Sequence, residues 1–137
     1  APEWRVHTID EKPFDINGVK IIPIRGRHYK LPVLGFRFGN IAYCTDMNHI
    51  AEEEFEKLKG LDHFVINCVR RGRHISHFSL EGALAVAEKV GAGHTWLTHL
   101  SHQLPVYTEL AAELPEGVLP AYDGLVIEEE KGLCPRR

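Results

Sequence analysis

A chain of 137 residues with 44% hydrophobic and 26% charged residues has the size and balance of one soluble globular domain with a real core. Its formal charge of -3 offers no general attraction to polyanions, which argues against nonspecific nucleic-acid binding. No stretch is apolar enough to span a bilayer, and Ala1-Pro-Glu-Trp-Arg5 lacks the apolar core of a secretory signal, so a cytoplasmic protein with no membrane contact is expected.

In chain order, Trp4 to Ile9 alternates as a strand does, and Phe14 to Ile16 reads as a short second strand. Asn17-Gly18 tolerates positive φ at both positions and marks a tight hairpin. Val19 to Ile24 follows as an apolar strand, and the cationic stretch Arg25 to Pro32 reads as a loop. Val33 to Phe38 and Ile41 to Cys44 form a second hairpin across Gly39-Asn40. Asn48 to Leu58 places Ile50, Phe55 and Leu58 among acidic residues, the pattern of a short amphipathic helix ended by Gly60. Phe64 to Val69 is a continuous apolar run, as expected for a strand buried on both faces.

Arg70 to Phe78 is a polar loop with three arginines and two histidines. Ser79 is a good N-cap for a helix over Leu80 to Val90, which Gly91-Ala-Gly93 stops. A β-prone run from Thr95 to Thr98 comes next, then a helix around Val106 to Leu114 opened by Pro105. Val118 to Pro120 and Leu125 to Ile127 are the last predicted strands, and Lys131 to Arg137 reads as a frayed tail. Antiparallel strands followed by strand–helix units predict an α/β fold, a mixed sheet with helices packed on one face. Cys44, Cys68 and Cys134 have no paired spacing; the first two read as small buried hydrophobes of a reducing compartment.

Three predicted strands end on potential metal ligands: His28, Asp46 and His99. Imidazole or carboxylate at a strand terminus is rigidly mounted yet open to solvent, and a carboxylate can bridge two divalent ions. Each residue also has a plainer reading, Asp46 as a helix cap and the histidines as surface or hydrogen-bonded groups. His77 ends the cationic loop beside a helix start, where it could contact a phosphate or protonate a leaving oxygen. His74 and Arg73 share that loop, while Arg25, Arg27 and Lys30 flank His28 and could form an anion-attracting rim. His102 lies three residues beyond His99.

Taken in order, His28, Tyr43-Cys-Thr-Asp46, His77-Phe-Ser-Leu-Glu-Gly-Ala-Leu84, Leu97-Thr-His-Leu-Ser-His102 and Ala121-Tyr-Asp-Gly124 resemble the C-terminal half of a metallo-β-lactamase-fold hydrolase. Within that superfamily the chain is most similar to the phosphoribosyl cyclic phosphodiesterase branch, with tRNA 3′-processing endonucleases further off. The resemblance spans Val19 to Glu128. It implies half of an αββα sandwich, and a binuclear phosphodiesterase in which metal-bound hydroxide attacks a small phosphorylated substrate. It further implies His28, Asp46 and His99 as ligands of two zinc or manganese ions, with Asp46 bridging. His77, with Arg73 and His74, would contact substrate, His77 assisting the leaving group, and His102 would hydrogen-bond behind the ligands.

The family's His-x-His-x-Asp-His signature does not occur in this sequence. The chain is therefore expected to be one domain, residues 1–137, equal to half of the family's fold, holding metal weakly or not at all and turning over little by itself. Its uncovered sheet face is expected to drive homo-oligomerisation, because apolar area left in water costs roughly 25 cal/mol per Å². Other readings remain open: a metal-free binding or assembly module of the same fold, another ester or lactone hydrolase, or an unrelated α/β domain.

Overall fold

The computed structural model describes residues 2–71, 77–102 and 104–128. The antiparallel part is built first. β1 (Phe14–Ile16) turns into β2 (Val19–His28) through Asn17 and Gly18, both at positive φ (49° and 83°), as a two-residue hairpin requires. β2 pairs antiparallel with β3 (Leu31–Phe38) from Ile21 opposite Phe38 to His28 opposite Leu31. β3 then pairs with β4 (Ile41–Cys44).

The ladder corrects the loop expected over Arg25 to Pro32. Arg25 to His28 continue β2 and Leu31 and Pro32 begin β3, leaving Tyr29 and Lys30 as the turn; the Arg25 charge that suggested a loop is matched by Glu53 and Glu54. Trp4 to Ile9, expected as a strand, is irregular, with Trp4 and Val6 largely exposed. The amphipathic helix expected over Asn48 to Leu58 is instead β5 (His49–Ile50) and a 3₁₀ helix, Glu52–Leu58. β5 pairs with β2 at Gly26 and Arg27. A Cβ on Gly26 would lie 2.7 Å from the His49 carbonyl oxygen, so only glycine admits β5 there.

From β4 onward the sheet is parallel. β6 (His63–Asn67), β7 (His94–Thr98) and β8 (Val118–Pro120) follow β4 in spatial order, linked by the 3₁₀ helix, α1 (Leu80–Val90) and α2 (Tyr107–Glu113). Ser79 caps α1 by accepting a hydrogen bond from the Gly82 N–H, and Gly91 ends it in the left-handed conformation at φ 65°.

Strand alternation sorts the sheet into two faces. On one, Ala42, Phe64 and Val118, and Cys44, Ile66 and Leu97, form the core with Leu80, Ala83 and Ala87 of α1 and Leu110 of α2. On the other, Phe38, Ile41, Tyr43, Val65 and Trp96 line a groove of about 360 Å³. The segment from Ala121 to Ile127 lies along that groove. Leu125 to Ile127, expected as a strand, is irregular there. The predicted tail from Lys131 to Arg137, with Cys134, lies outside the described residues. Among the described residues, no helix is long and apolar enough to cross a membrane.

Candidate metal centre

Three chain segments meet where the strands end. β4 runs into Thr45 and Asp46, β7 runs into His99, and His28 is the last residue of β2. Asp46 and His99 both take left-handed backbone conformations (φ 58° and 62°), as does Tyr29 just after His28 (φ 59°). Residues other than glycine seldom adopt this region. Here it turns each side chain off the strand edge, and the surrounding ladders hold the strain. The end of β2 is tied to the Asp46 loop by Asn48 N–H to the Arg27 carbonyl (2.8 Å) and Tyr29 N–H to Asn48 Oδ1 (3.2 Å).

The side chains converge. His99 Nε2 lies 2.9 Å from Asp46 Oδ1, and His77 Nε2 lies 3.3 Å from the same oxygen. One potential ligand atom from each of Asp46, His77 and His99 falls within 4.8 Å of the others. The His77 and His99 rings stack at 5.5 Å, and His28 meets His77 edge-on at 4.9 Å. The Asp46 side chain is 58% exposed and His77 17%, so the cluster opens to solvent on the carboxylate side.

This donor set suits a divalent cation of zinc type. Metal–ligand bonds of about 2.1 Å give tetrahedral donor edges of roughly 3.4 Å, close to the nitrogen–oxygen separations here. Two imidazoles and a carboxylate match the ligand preferences of zinc and manganese. Burial pushes the Cys44 thiol up to about 12 and, with Glu81 adding to it, Cys68 to about 11, which disfavours a free thiolate at either.

Of the residues singled out from the sequence, Asp46, His77 and His99 form one cluster and His28 borders it. His102 sits exposed on the turn beyond Ser101, outside the cluster. Arg73 and His74 lie outside the described residues. The expected cationic rim is thinner than the sequence suggested. Arg25 is turned to Glu53 and Glu54, and Arg71 is paired with Glu113 of α2. Sequence reasoning missed Asn67, which it placed among the apolar residues of a buried strand. Its side chain is fully buried and bonds both backbone groups of Met47, the residue after Asp46. The available signal was a lone amide inside an otherwise apolar run.

Strand ends of a mixed sheet that gather histidines about a carboxylate define a candidate metal centre on an α/β fold. The chain belongs to the β-lactamase superfamily domain family, whose model matches residues 1–100, a span that includes all four of these residues. It is 38% identical over 125 residues to a protein named octanoyltransferase from Porphyromonas gingivalis (strain ATCC BAA-308 / W83), covering 90% of this chain and 25% of that one. It is also similar to a solved diphosphatase of the PhnP family, with 37% identity and a TM-score of 0.84 over 87% of this chain and 46% of that chain. Zn2+-bound PqqB from Methylobacterium extorquens shares the fold, with 14% identity and a TM-score of 0.66 over 87% of this chain and 54% of that one. The chain thus spans about a quarter of the curated relative and about half of each solved one.

Proposed function

We propose that this domain supplies half of a binuclear metal site in a hydrolase that cleaves phosphodiesters in small phosphorylated substrates. In this reading His28, Asp46 and His99 would hold the ions, zinc or manganese by the chemistry of the donor set. The observation that carries it is the approach of His99 Nε2 to within 2.9 Å of Asp46 Oδ1, with His28 bordering this pair across the His77 ring. When bound, two such ions supply an activated water and neutralise phosphoryl charge.

The chain's own residues do the rest. Asp46 and His99 hold fixed positions at strand ends, so the reacting phosphate meets a preformed frame. His77, set over His28, hydrogen-bonds a phosphate oxygen and delivers a proton to the leaving oxygen. Arg73 and His74 complete the phosphate contacts, and His102 steadies the His99 turn from outside. Phosphate as the substrate class is supported by the 37% identity to a diphosphatase, and zinc by the Zn2+-bound fold relative. The name octanoyltransferase belongs to a protein of which this chain covers only a quarter, so it carries less weight here.

The remaining ligands, in a His-x-His-x-Asp-His cluster, come from sequence beyond these residues. The domain alone therefore binds metal weakly and turns over little. In isolation it self-associates, two copies covering each other's groove of Phe38, Tyr43 and Trp96, and a monodisperse monomer in sedimentation counts against that. The deciding test measures metal content and hydrolysis of bis(4-nitrophenyl) phosphate by the full-length protein. Two metals per chain and a loss of at least about 100-fold on Asp46→Ala are expected. Metal-free protein, or hydrolysis indifferent to that substitution, overturns the proposal.

A further inference from the structure

We infer that Asn67 is the positioning residue of this site, setting Asp46 and His77 in register with each other; the inference rests on the metal-site reading above. Asn67 is the last residue of β6, and its side chain is fully buried. Its Oδ1 accepts the Met47 N–H at 3.1 Å, and its Nδ2 donates to the Met47 carbonyl at 2.9 Å. That carbonyl also accepts the Phe78 N–H at 3.0 Å. Met47 directly follows Asp46, and Phe78 directly follows His77. One buried amide and one carbonyl therefore fasten the backbones that carry both side chains.

The third member of the cluster is anchored one residue further along. Cys68 N–H donates to the Thr98 carbonyl at 2.8 Å, and Thr98 directly precedes His99. The end of β6 thus holds all three segments, although β6 itself contributes no side chain to the cluster. Asp46 needs such support. Its backbone is left-handed at φ 58° and its side chain is 58% exposed, with Oδ1 held against His77 and His99. A carboxylate free to swing would spread its oxygen over several ångströms and forfeit a preformed site.

The chemistry of the amide is specific. Only a group with one acceptor and one donor at this spacing satisfies both the N–H and the C=O of Met47. Aspartate keeps the acceptor but sets an oxygen against the Met47 carbonyl, and alanine leaves the Met47 N–H buried without a partner.

The test compares Asn67→Ala, Asn67→Asp and, as a core lesion away from the site, Leu110→Ala. Zn2+ affinity is measured by competition with a chromophoric chelator, and amide exchange of Met47 and Phe78 is followed without metal. Asn67→Ala is expected to weaken Zn2+ binding ten- to hundredfold and Asn67→Asp by an intermediate factor, while Leu110→Ala stays within about twofold. Exchange at Met47 and Phe78 should quicken in the Asn67 variants well beyond the rest of the sheet. Affinity and exchange unchanged in Asn67→Asp overturn the inference, as does an equal loss in Leu110→Ala; if Asn67→Ala fails to fold, Asn67→Asp decides alone. If the unaltered full-length protein binds no Zn2+, the metal reading fails, and exchange at Met47 and Phe78 still decides whether Asn67 positions these segments.

Discussion

The parallel strands carry histidines at both ends, and the two ends are built for different work. Where the strands finish, His99 and His77 close on the Asp46 carboxylate, with Asp46 and His99 in left-handed loop positions that ordinary residues avoid. Where they begin, His63 and His94 sit opposite each other as a cross-strand pair, rings stacked at 5.4 Å. Trp96 extends that stack and donates its indole N–H to His63 Nδ1 at 3.2 Å. Here the backbone is regular strand, and the histidines act as flat packing surfaces with one lone pair already used. Open α/β sheets place their chemistry beyond the carboxyl ends of the strands, and this molecule follows that division. Residue type alone does not separate the two clusters; backbone conformation and the nearby carboxylate do.

The largest effect that would break this comparison is on metal. His99→Ala or Asp46→Ala is expected to lower Zn2+ affinity by at least about 100-fold, and His94→Ala by less than about twofold. Isothermal titration on the three variants decides it. Comparable losses at His94 and His99 would erase the distinction between the two ends.

A smaller, opposite effect is expected in stability. Asp46 is exposed and sits in a strained backbone, so Asp46→Asn, which tolerates the left-handed region, should change unfolding free energy by less than about 0.5 kcal/mol. Glu54 is the contrasting carboxylate: its side chain is 2% exposed and bound by Arg25 and Lys57. Burial raises its pKa, but the hydrogen bonds and charges of Lys57 and Arg25 outweigh burial and hold the carboxyl below its ordinary value. A carboxylate with a depressed folded pKa contributes stability that is complete above its unfolded pKa, roughly 4.3, and is lost as pH falls through the folded value. Glu54→Ala should therefore cost roughly 2 kcal/mol at neutral pH, discounted because Arg25 and Lys57 are partly exposed. Urea midpoints that keep the same fall below pH 5 in Glu54→Gln would remove this group as its source.

Much of this was legible in the sequence, and the failures share a cause. Phe14–Ile16, Ile41–Cys44, Leu80–Val90 and Val118–Pro120 match their predicted bounds residue for residue, since turn dipeptides, an N-cap and stop glycines frame them. Arg25 and Glu54 misled because each charge is neutralised by a partner far along the chain, so a polar residue in β2 looked like loop and a buried acid looked like a solvated helix face. Trp4 and Val6 alternate like strand residues but remain exposed outside the sheet. Strand-end logic picked out Asp46 and His99, which the structure brings together, and His28, which borders them. It could not find Asn67, whose role depends on backbone groups of Met47 brought close only by the parallel pairing of β4 with β6.

The finest test of the contrast lies in Trp96. Replacing it with phenylalanine keeps a flat ring beside His63 and His94 but removes the indole donor, leaving His63 Nδ1 to water or to no partner. The hydrogen bond is only part-buried, so its loss should cost about 1 kcal/mol, the net value of an ordinary side-chain bond. Because the stack lies at the far end of β7 from His99, the same substitution should leave Zn2+ affinity unchanged. Thermal unfolding and zinc titration on one preparation give both numbers. A stability loss accompanied by weaker zinc binding would mean that the two ends of the strand communicate through β7, and that the stack is part of the metal centre's support rather than separate packing.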